Sequence, residues 1–419
     1  MPKKKGYDWS DIANPPELDS HSSVKHEIIC DYLQRYIAVF TKNPTIDRFR
    51  INIIDGFAGG GRYRSPFNSE ILPGSPILIL RAMQLAEAEI NAGRKKPFVL
   101  DATYYFVEID GGAIEHLKFA LTEAALGGNE KIHVLHKDFL KALPKICDDV
   151  KRNSRKPRNI FILDQYGYKD VPPQVLRQLF KTFPSGTEVI LTFSTDSLIN
   201  YMSDTPAYVT ALKKLNLDGI LKHPDLQNAI EVKHCRLLIE QLLYAEIQSQ
   251  CGASFLTPFF IVSQKSNRAY WLIHLSSHPT ARNEMLLTHW QSQNAFEHHG
   301  GEGLNMMLGY NPTFEAIANQ QTFDFIFDDD AERRVVNALL EDIPEFLSAS
   351  EVFTVQDLVF KTCNKSPATL AQYKEALFKL QQAKVIQVLT PHGKMRRTAL
   401  AIQFEDNLLV TNQLVFSLV

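Results

Sequence analysis

The sequence predicts an α/β fold, a mostly parallel sheet with helices on both faces and an antiparallel last strand, followed by a small winged-helix-like domain. Three observations predict it. Apolar runs of five or six residues alternate with amphipathic segments between residues 49 and 193. Only four residues, 265–268, separate the apolar runs 255–264 and 269–276, which is too short for a parallel crossover. Three helical segments and a hairpin follow.

The predicted elements follow one another in a regular order. Ser22 or Ser23 would cap a first helix that extends to about Phe40. Strands are predicted at 49–54, 102–107, 131–136, 159–163 and 188–193. Further helices are predicted at 77–93, 112–125, 141–152, 172–183 and 279–296. Strands alternating with helices in this way indicate a parallel sheet covered on both faces.

Composition shifts divide the chain. We expect a flexible arm (1–20), a sheet domain (21–300) with a helical insertion (196–250), a linker (301–330) and a winged-helix-like domain (331–419). In the last of these, helices are predicted at 332–347, 354–363 and 367–383, and the two strands of the wing at 385–390 and 398–404.

The composition is that of an ordinary globular protein. Of 419 residues, 45 are Lys or Arg and 47 are Asp or Glu, which excludes a disordered chain and a basic coat along the whole chain. Five scattered cysteines without a C-x-x-C pair are typical of reduced thiols in the cytoplasm. No apolar run is long enough to span a membrane, so we expect a cytoplasmic protein without a membrane segment. His298 and His299 lack suitably spaced Cys or carboxylate partners, so no metal site is expected.

Acidic residues follow four of the predicted strands. In an open parallel sheet the ligand binds beyond the carboxyl ends of the strands, where these residues would lie. Each acid alone is more often a solvated residue, and a glycine turn is often only a turn, but the four in this order indicate a nucleoside-containing cofactor. The candidate cofactor-binding residues are Asp55, Gly56, Phe57, Ala58, Gly59, Gly61, Glu108, Ile109, Asp138 and Phe139.

The first glycine loop narrows the choice of cofactor. It contains neither G-x-G-x-x-G nor G-K-[ST], which excludes the usual dinucleotide and P-loop fingerprints. A carboxylate at Asp55 would repel a pyrophosphate and would suit a ligand with a free amino group. S-adenosylmethionine (SAM) has an α-amino group, a ribose diol and an adenine, which match Asp55, Glu108 and Asp138. The antiparallel last strand is the hallmark of the class I methyltransferase sheet, so SAM is the predicted cofactor.

Several segments resemble one known family. Lys25 and His26 on the first helix precede the segments IIDGFAGGGRY (53–63), GSP (74–76), FVEID (106–110), LDQYGYKDVP (163–172) and YWLIHLSSHPTARNEM (270–285). Together they resemble the three-Cys-motif partner (TcmP) family, whose members are similar to class I SAM-dependent methyltransferases. The resemblance covers about residues 20–300 and implies a protein partner with a three-cysteine motif. At the fourth strand the family usually has Asp-Pro-Phe-Gly-Tyr, and here Gln165 and Tyr166 replace the Pro and Phe.

The segment at the fourth strand is the candidate acceptor site. Its D-x-x-G-Y pattern resembles the Asp-Pro-Phe-Gly motif of tRNA guanine N2-dimethyltransferases. Asp164 could accept hydrogen bonds from the exocyclic amine of a base, with Tyr166 or Tyr168 stacking on the ring. The alternative is that both tyrosines only pack the turn. Methyl transfer to a base nitrogen is therefore predicted, with Asp164, Tyr166 and Tyr168 as the candidate catalytic residues.

Two basic segments stand out. Residues 361–397 contain eight Lys or Arg and one acid, which suits contact with a phosphate backbone, RNA or DNA. The candidate nucleic-acid-binding residues are Lys374, Lys379, Lys394, Arg396 and Arg397. A solvated face or a protein-docking winged helix is the alternative. The second basic run, 151–158, is interpreted as a solvated loop.

Two other functions remain open at this stage. The replacement at Gln165 favours a non-catalytic subunit or sensor that binds SAM and nucleic acid in a bacterial defence or modification operon, acting with a three-Cys-motif partner. A methyltransferase for small molecules would not need residues 331–419.

Overall fold

A computed structural model describes residues 7–68, 70–165, 170–193, 209–210, 212–213, 219, 235–263, 268–291, 297–298, 302–304, 325–326, 330–349 and 353–411. The chain forms two compact units. The first comprises residues 1–219 with 245–288, and the second comprises residues 220–244 with 289–419. The predicted insertion (196–250) and linker (301–330) lie mostly outside the described residues, so the predicted domain boundaries stay predictions.

Seven of the described strands form the sheet of the first unit. Its strands are β1 (Arg48–Asp55), β4 (Val99–Glu108), β5 (Ile132–His136), β6 (Asn159–Leu163), β7 (Thr187–Phe193), β8 (Phe255–Ser263) and β9 (Arg268–Ser276). Across the sheet their order is β8-β9-β7-β6-β1-β4-β5, and only β9 runs antiparallel to its two neighbours. This order and this single reversal confirm the predicted class I methyltransferase fold.

Helices connect the strands. They are α1 (Ser20–Phe40), α2 (Ser75–Ala92), α3 (Gly111–Glu123), α4 (Phe139–Asn153), α5 (Pro173–Thr182), α6 (Cys235–Cys251) and α7 (Pro279–Gln291). The central strands β6 and β7 are buried along their whole length because helices cover the sheet. The capping prediction for α1 was wrong, because the helix already begins at Ser20, after Asp19.

A short hairpin, β2 (Arg62–Arg64) and β3 (Ile71–Pro73), follows the first glycine loop. The N-terminal segment lies along it, since Leu18 N–H donates to the Arg64 carbonyl and Arg64 N–H donates to the Pro16 carbonyl. Trp9 and Leu18 are buried in one cluster with Tyr63. The prediction of a flexible arm is therefore wrong for residues 7–19, and residues 1–6 lie outside the described part of the chain. Aromatic burial and two backbone hydrogen bonds fix the segment in place.

From residue 330 onward, the described part of the second unit contains three helices and a two-stranded wing. Its elements are the short pair β10 (Glu297–His298) and β11 (Phe325–Ile326), α8 (Ala331–Ala349), α9 (Val355–Thr362), α10 (Leu370–Gln382), β12 (Ile386–Leu389) and β13 (Asn407–Val410). Leu339, Leu358 and Leu377 are fully buried between the helices. A capping box between Thr369 and Gln372 starts α10, the predicted reader helix. These elements are those of the predicted winged helix.

The second strand of the wing is not where the sequence placed it. Residues 398–404, predicted as a strand, hold a 3₁₀ turn at Ala399–Ala401, and β13 at 407–410 pairs with β12 instead. The alternation of apolar residues predicted that Leu400 and Ile402 would both face the core of a strand. In the structure Ile402 is fully buried, whereas Leu400 is 87% exposed. Asp406, also fully buried, fixes this course of the chain by accepting two hydrogen bonds from Arg396.

Within the described residues, no helix has both the length and the apolar character needed to cross a bilayer.

Candidate functional site

The site is built at the carboxyl edge of the sheet, beginning with Asp55 at the end of β1. The Asp55 carboxylate accepts a hydrogen bond from the Ser75 hydroxyl (2.6 Å) and another from the Phe57 N–H (3.1 Å). Ser75 is the first residue of α2, so the GSP segment anchors that helix to the end of β1. In the sequence the GSP segment was only part of a family resemblance. In the structure its serine makes this contact with Asp55.

Asp55 is almost completely buried, with 1% of its surface exposed. Desolvation raises its pKa to about 7, and the nearby carboxylates of Asp164 and Glu108 add to the effect, whereas the hydrogen bonds from Ser75 and Phe57 oppose it. The ionised form is therefore costly in the folded protein, and a cationic ligand at this edge would stabilise it.

We expect Asp55→Asn to stabilise the protein more strongly as the pH rises. The folded-state pKa is above the unfolded one, so the folded state binds the proton more tightly and stability is lost between about pH 4 and pH 7. The amide removes that loss, and its gain should grow by about 2 kcal/mol from pH 5 to pH 8. Denaturant unfolding at both pH values measures it. Asp148→Asn, an exposed carboxylate on α4, is the control, and an equal pH response in the two variants would contradict the burial argument.

Glu108, at the end of β4, braces two loops. One carboxylate oxygen accepts from the Gly59 N–H (2.9 Å), and the other accepts from the N–H groups of Ile109 (2.8 Å) and Asp110 (2.9 Å). The glycine loop is thereby joined to the end of β4. Ile109 presents an apolar side chain that is 66% exposed beside this carboxylate.

The end of β5 contributes Asp138 and Phe139. Asp138 caps α4 by accepting from the Lys141 N–H, so part of its hydrogen-bonding capacity serves the helix. The Phe139 ring lies 5.9 Å from the Phe57 ring between centroids, which brings the β1 and β5 loops together. A Cβ at Gly56 would lie 2.8 Å from Leu163 Cδ2 and 2.9 Å from Phe139 Cδ2, so this glycine is required for close packing.

Asp164, at the end of β6, is held by a cation from the first helix. Lys25 Nζ donates to both carboxylate oxygens, at 2.6 and 2.7 Å. The Lys25 side chain is 5% exposed and that of Asp164 is 31% exposed. Desolvation raises the pKa of Asp164, but the charge and hydrogen bonds of Lys25 outweigh it, so the pKa lies below its ordinary value. Neighbouring His26 is buried and its pKa falls to about 4, mainly through desolvation. The site thus holds an ionised Asp164 beside a neutral imidazole.

Gln165, at the position where the three-Cys-motif partner family usually has proline, has a structural role. Its side-chain carbonyl accepts from the N–H groups of Asp170 (3.1 Å) and Val171 (3.0 Å), and the residue is 2% exposed. It therefore closes the loop that follows β6. The candidate catalytic residues Tyr166 and Tyr168 lie outside the described residues.

Trp9 is a part of the site region that sequence reasoning missed. Its ring packs edge-on against Tyr63 and lies against the glycine loop, where a Cβ at Gly60 would be 2.3 Å from Trp9 Cζ3. Gly59 and Gly61 have positive φ angles of 61° and 72°, which favour glycine. The glycines at 59–61 are thus explained by the local backbone and by Trp9. The sole sequence signal was a tryptophan in an otherwise polar segment.

In the second unit the five candidate basic residues differ in their exposure and in their ion-pair partners. Lys394 and Arg397 are exposed on the wing, Lys374 is partly exposed on α10, and Lys379 on the same helix pairs with Glu375 at 2.8 Å. Arg396 donates from Nε and Nη2 to the buried Asp406, both at 2.7 Å. Its assignment to nucleic-acid contact is therefore corrected to an internal one, because releasing it would leave a buried carboxylate unpaired.

No group of three or more His, Cys, Asp or Glu side chains in the described part of the chain is arranged to hold a metal ion.

Comparison with known protein families identifies the winged helix. Residues 309–393 match the family described as the GMT-like wHTH domain. This match covers the helices of the second unit and the start of the wing. No curated protein matches the chain in sequence.

Three solved structures that resemble the chain are described as methyltransferases. A protein from Klebsiella pneumoniae assigned as an O-methyltransferase is 11% identical, with 58% of this chain and 80% of that chain covered and a TM-score of 0.29. The O-methyltransferase TomG of Streptomyces achromogenes, in complex with SAM, is 12% identical (62% and 91% covered, TM-score 0.28). A protein from Methanococcus maripaludis assigned as a SAM-dependent methyltransferase is also 12% identical (66% and 96% covered, TM-score 0.28). At such scores the fold assignment depends on the strand order described above.

Proposed function

We propose that the chain is a SAM-dependent methyltransferase that transfers a methyl group to a nitrogen of a nucleic-acid base. The observation that carries the proposal is an ionised, partly exposed Asp164 at the carboxyl edge of a class I methyltransferase sheet, held by a buried Lys25. The same edge holds the Asp55 loop and Glu108, which are joined through Gly59.

The residues at this edge fit SAM. Glu108 would accept hydrogen bonds from the ribose hydroxyls in place of one of its backbone donors, and the exposed Ile109 would lie against the adenine. The buried Asp55 offers negative charge toward the α-amino group, and Asp138 with Phe139 lines the adenine side. When bound, SAM supplies an electrophilic methyl group on a sulfonium.

The acceptor side suits an exocyclic amine. An ionised carboxylate is purely an acceptor of hydrogen bonds, so Asp164 would bind N–H groups and would not favour a ligand that only accepts. By holding the amine's hydrogens, Asp164 would direct the nitrogen lone pair toward the methyl carbon. The methyl group would pass to the nitrogen as its bond to sulfur breaks, with the electron pair of that bond left on a neutral thioether. The amine would thereby become cationic, and the negative charge of Asp164 would stabilise that change before the proton leaves to solvent.

The second unit would bring the polymer to the site. Lys394 and Arg397 on the wing, and Lys374 on α10, offer charge to a phosphate backbone. The likeness to the three-Cys-motif partner family predicts, in addition, a protein partner with a three-cysteine motif. The scattered cysteines without a C-x-x-C pair predict a cytoplasmic setting. We favour catalysis over the sensor alternative because the Gln165 replacement closes its loop through the side chain and leaves Asp164 ionised.

We expect the purified chain to transfer labelled methyl groups from SAM to total RNA or DNA, and Glu108→Ala to weaken SAM binding by about tenfold or more. Losing the carboxylate removes the ribose contact and also frees the Gly59 loop. Isothermal titration measures binding, and scintillation counting measures transfer. Glu115→Ala, an exposed acid on the adjoining α3, is the matched control.

The outcomes separate the candidate functions. SAM binding without transfer to any polymer would overturn catalysis and favour the sensor. Unchanged binding in Glu108→Ala would overturn the placement of the cofactor. Transfer to small amines, undiminished when residues 331–419 are removed, would favour the small-molecule enzyme.

A further inference from the structure

The opposite, amino edge of the sheet carries a cationic cluster that the proposed chemistry does not use. Its centre is Asp101 in β4, whose side chain is only 8% exposed. Three cations converge on this one carboxylate. Arg48 Nη2 lies 2.7 Å from Oδ2, Arg50 Nε lies 2.9 Å from Oδ2, and Lys131 Nζ lies 2.5 Å from Oδ1.

The charges in this cluster do not balance. One carboxylate faces three positive groups, so two positive charges exceed what Asp101 neutralises. Desolvation raises the pKa of Asp101, but the hydrogen bonds from Lys131, Arg50 and Arg48 lower it well below its ordinary value, so the acid stays ionised. The side chains of the three cations remain 58%, 50% and 49% exposed, respectively, for Arg48, Arg50 and Lys131. The buried acid therefore holds three long side chains in place while their outer donors face solvent.

The basic run that the sequence indicated as a solvated loop adjoins this cluster. Arg50 Nη1 donates to the Asn153 carbonyl at 2.9 Å, which places the end of α4 beside β1. We call the resulting surface the cationic edge. It consists of Arg48, Arg50, Lys131, Lys151, Arg152, Arg155 and Lys156, all of them exposed. Two nearby acids have cationic partners, since Asp149 pairs with Arg152 and Asp47 with Lys96. The exposed Glu130 adjoins Lys131 in the chain, so the surface keeps a positive excess from its other cations.

We propose that the cationic edge binds the phosphate backbone of the nucleic acid on which the enzyme acts. The proposal rests on the proposed substrate class, and it adds a second contact on the catalytic unit, far from Asp164. The eight residues of β1 separate the two edges by roughly 26 Å, at about 3.3 Å per residue. That distance corresponds to about eight base pairs of duplex. Only a polymer can contact both edges, so this surface would select nucleic acid over free nucleotides.

Binding of a labelled oligonucleotide to the full chain, without SAM, tests the proposal. Arg48→Gln/Lys131→Gln removes two exposed cations and keeps Arg50 on Asp101, so the buried carboxylate stays paired. Arg81→Gln/Lys118→Gln removes two exposed cations from α2 and α3 and is the matched control. Both pairs are made also in a Lys394→Gln/Arg397→Gln background, so that binding by the wing cannot mask the effect.

With a duplex probe we expect the first pair to weaken binding about tenfold at 50 mM salt and to reduce the slope of log affinity against log salt by about 1.8. The control pair should change neither. Equal losses in both pairs, or no loss in the first, would overturn the proposal. Because SAM is absent and binding is the readout, this result is independent of methyl transfer. The cationic edge can prove not to bind nucleic acid although the protein transfers methyl groups. It can equally bind nucleic acid although no methyl transfer is found.

Discussion

Replacing Lys25 with Met is expected to destabilise the protein by about 3 kcal/mol at pH 7 and to abolish methyl transfer. Lys25 is almost fully buried, and both hydrogen bonds between its ammonium group and Asp164 are short. Removing the cation takes away the largest contribution that opposes the desolvation of this carboxylate, and leaves only the smaller ones from Thr192 and His26. The pKa of Asp164 must then rise, and a protonated Asp164 would donate a hydrogen bond where the amine needs an acceptor.

The stability of the protein should depend on pH through the pKa of Asp164. In the native protein the folded-state pKa of Asp164 is below the unfolded one, so the pair contributes stability above the unfolded pKa, and that contribution is lost as the pH falls through the folded pKa. In Lys25→Met, desolvation is expected to shift the folded-state pKa of Asp164 above the unfolded one, so the sign reverses and the variant loses stability as the pH rises through the folded pKa. Thermal unfolding between pH 4 and pH 8, followed for both proteins, measures the shift.

Two further variants show whether the effect depends on a positive charge at residue 25 or on the loss of any cation from α1. Lys25→Arg keeps the cation and should retain most of the stability, although the larger guanidinium must fit a buried site. Arg35→Gln removes another α1 cation, whose partner Glu284 lies at 3.8 Å, and serves as the control. If Lys25→Met unfolds at the same temperature as Arg35→Gln and retains methyl transfer, the Lys25–Asp164 pair has no role in the acceptor site.

The sheet could be predicted because its signals are local. Each strand is a short apolar run, and the four-residue link before β9 excludes a parallel crossover without knowledge of any partner. The hairpin β2–β3 was missed because three-residue strands have no measurable period. The second strand of the wing was misplaced because an alternating pattern at 398–404 reflects one buried residue, Ile402.

The places of the candidate residues at the strand ends were predictable, but their contacts were not. Asp55, Glu108 and Asp164 follow strands whose carboxyl ends must meet at one edge, so their proximity followed from the topology. The Lys25–Asp164 pair joins residues 139 apart in the chain, and no pattern at either end encodes the other. For the same reason Trp9 could not be assigned, since its partner Tyr63 lies beyond the first helix and strand.

The second prediction follows from the contact between Trp9 and Gly60. Trp9→Ala should lower stability by about 3 kcal/mol, because it removes a large side chain that is 8% exposed from a cluster with Tyr63 and Leu18. SAM should also bind more weakly, since the ring lies against the loop that Glu108 holds through Gly59. Calorimetry and thermal unfolding measure both effects, and Ile12→Ala, a 41% exposed residue of the same segment, is the control.

Gly60→Ala tests the contact from the other side. The new methyl group would lie 2.3 Å from Trp9 Cζ3, so the ring must move. Gly60 has no positive φ angle, so the backbone itself would tolerate alanine. In the native protein Gly60→Ala should therefore destabilise, by about 2 kcal/mol. In the Trp9→Ala protein the same change should cost almost nothing, and the double-mutant cycle should give a coupling of about the same 2 kcal/mol. Additive effects would instead mean that the Trp9 ring does not pack on the loop at Gly60.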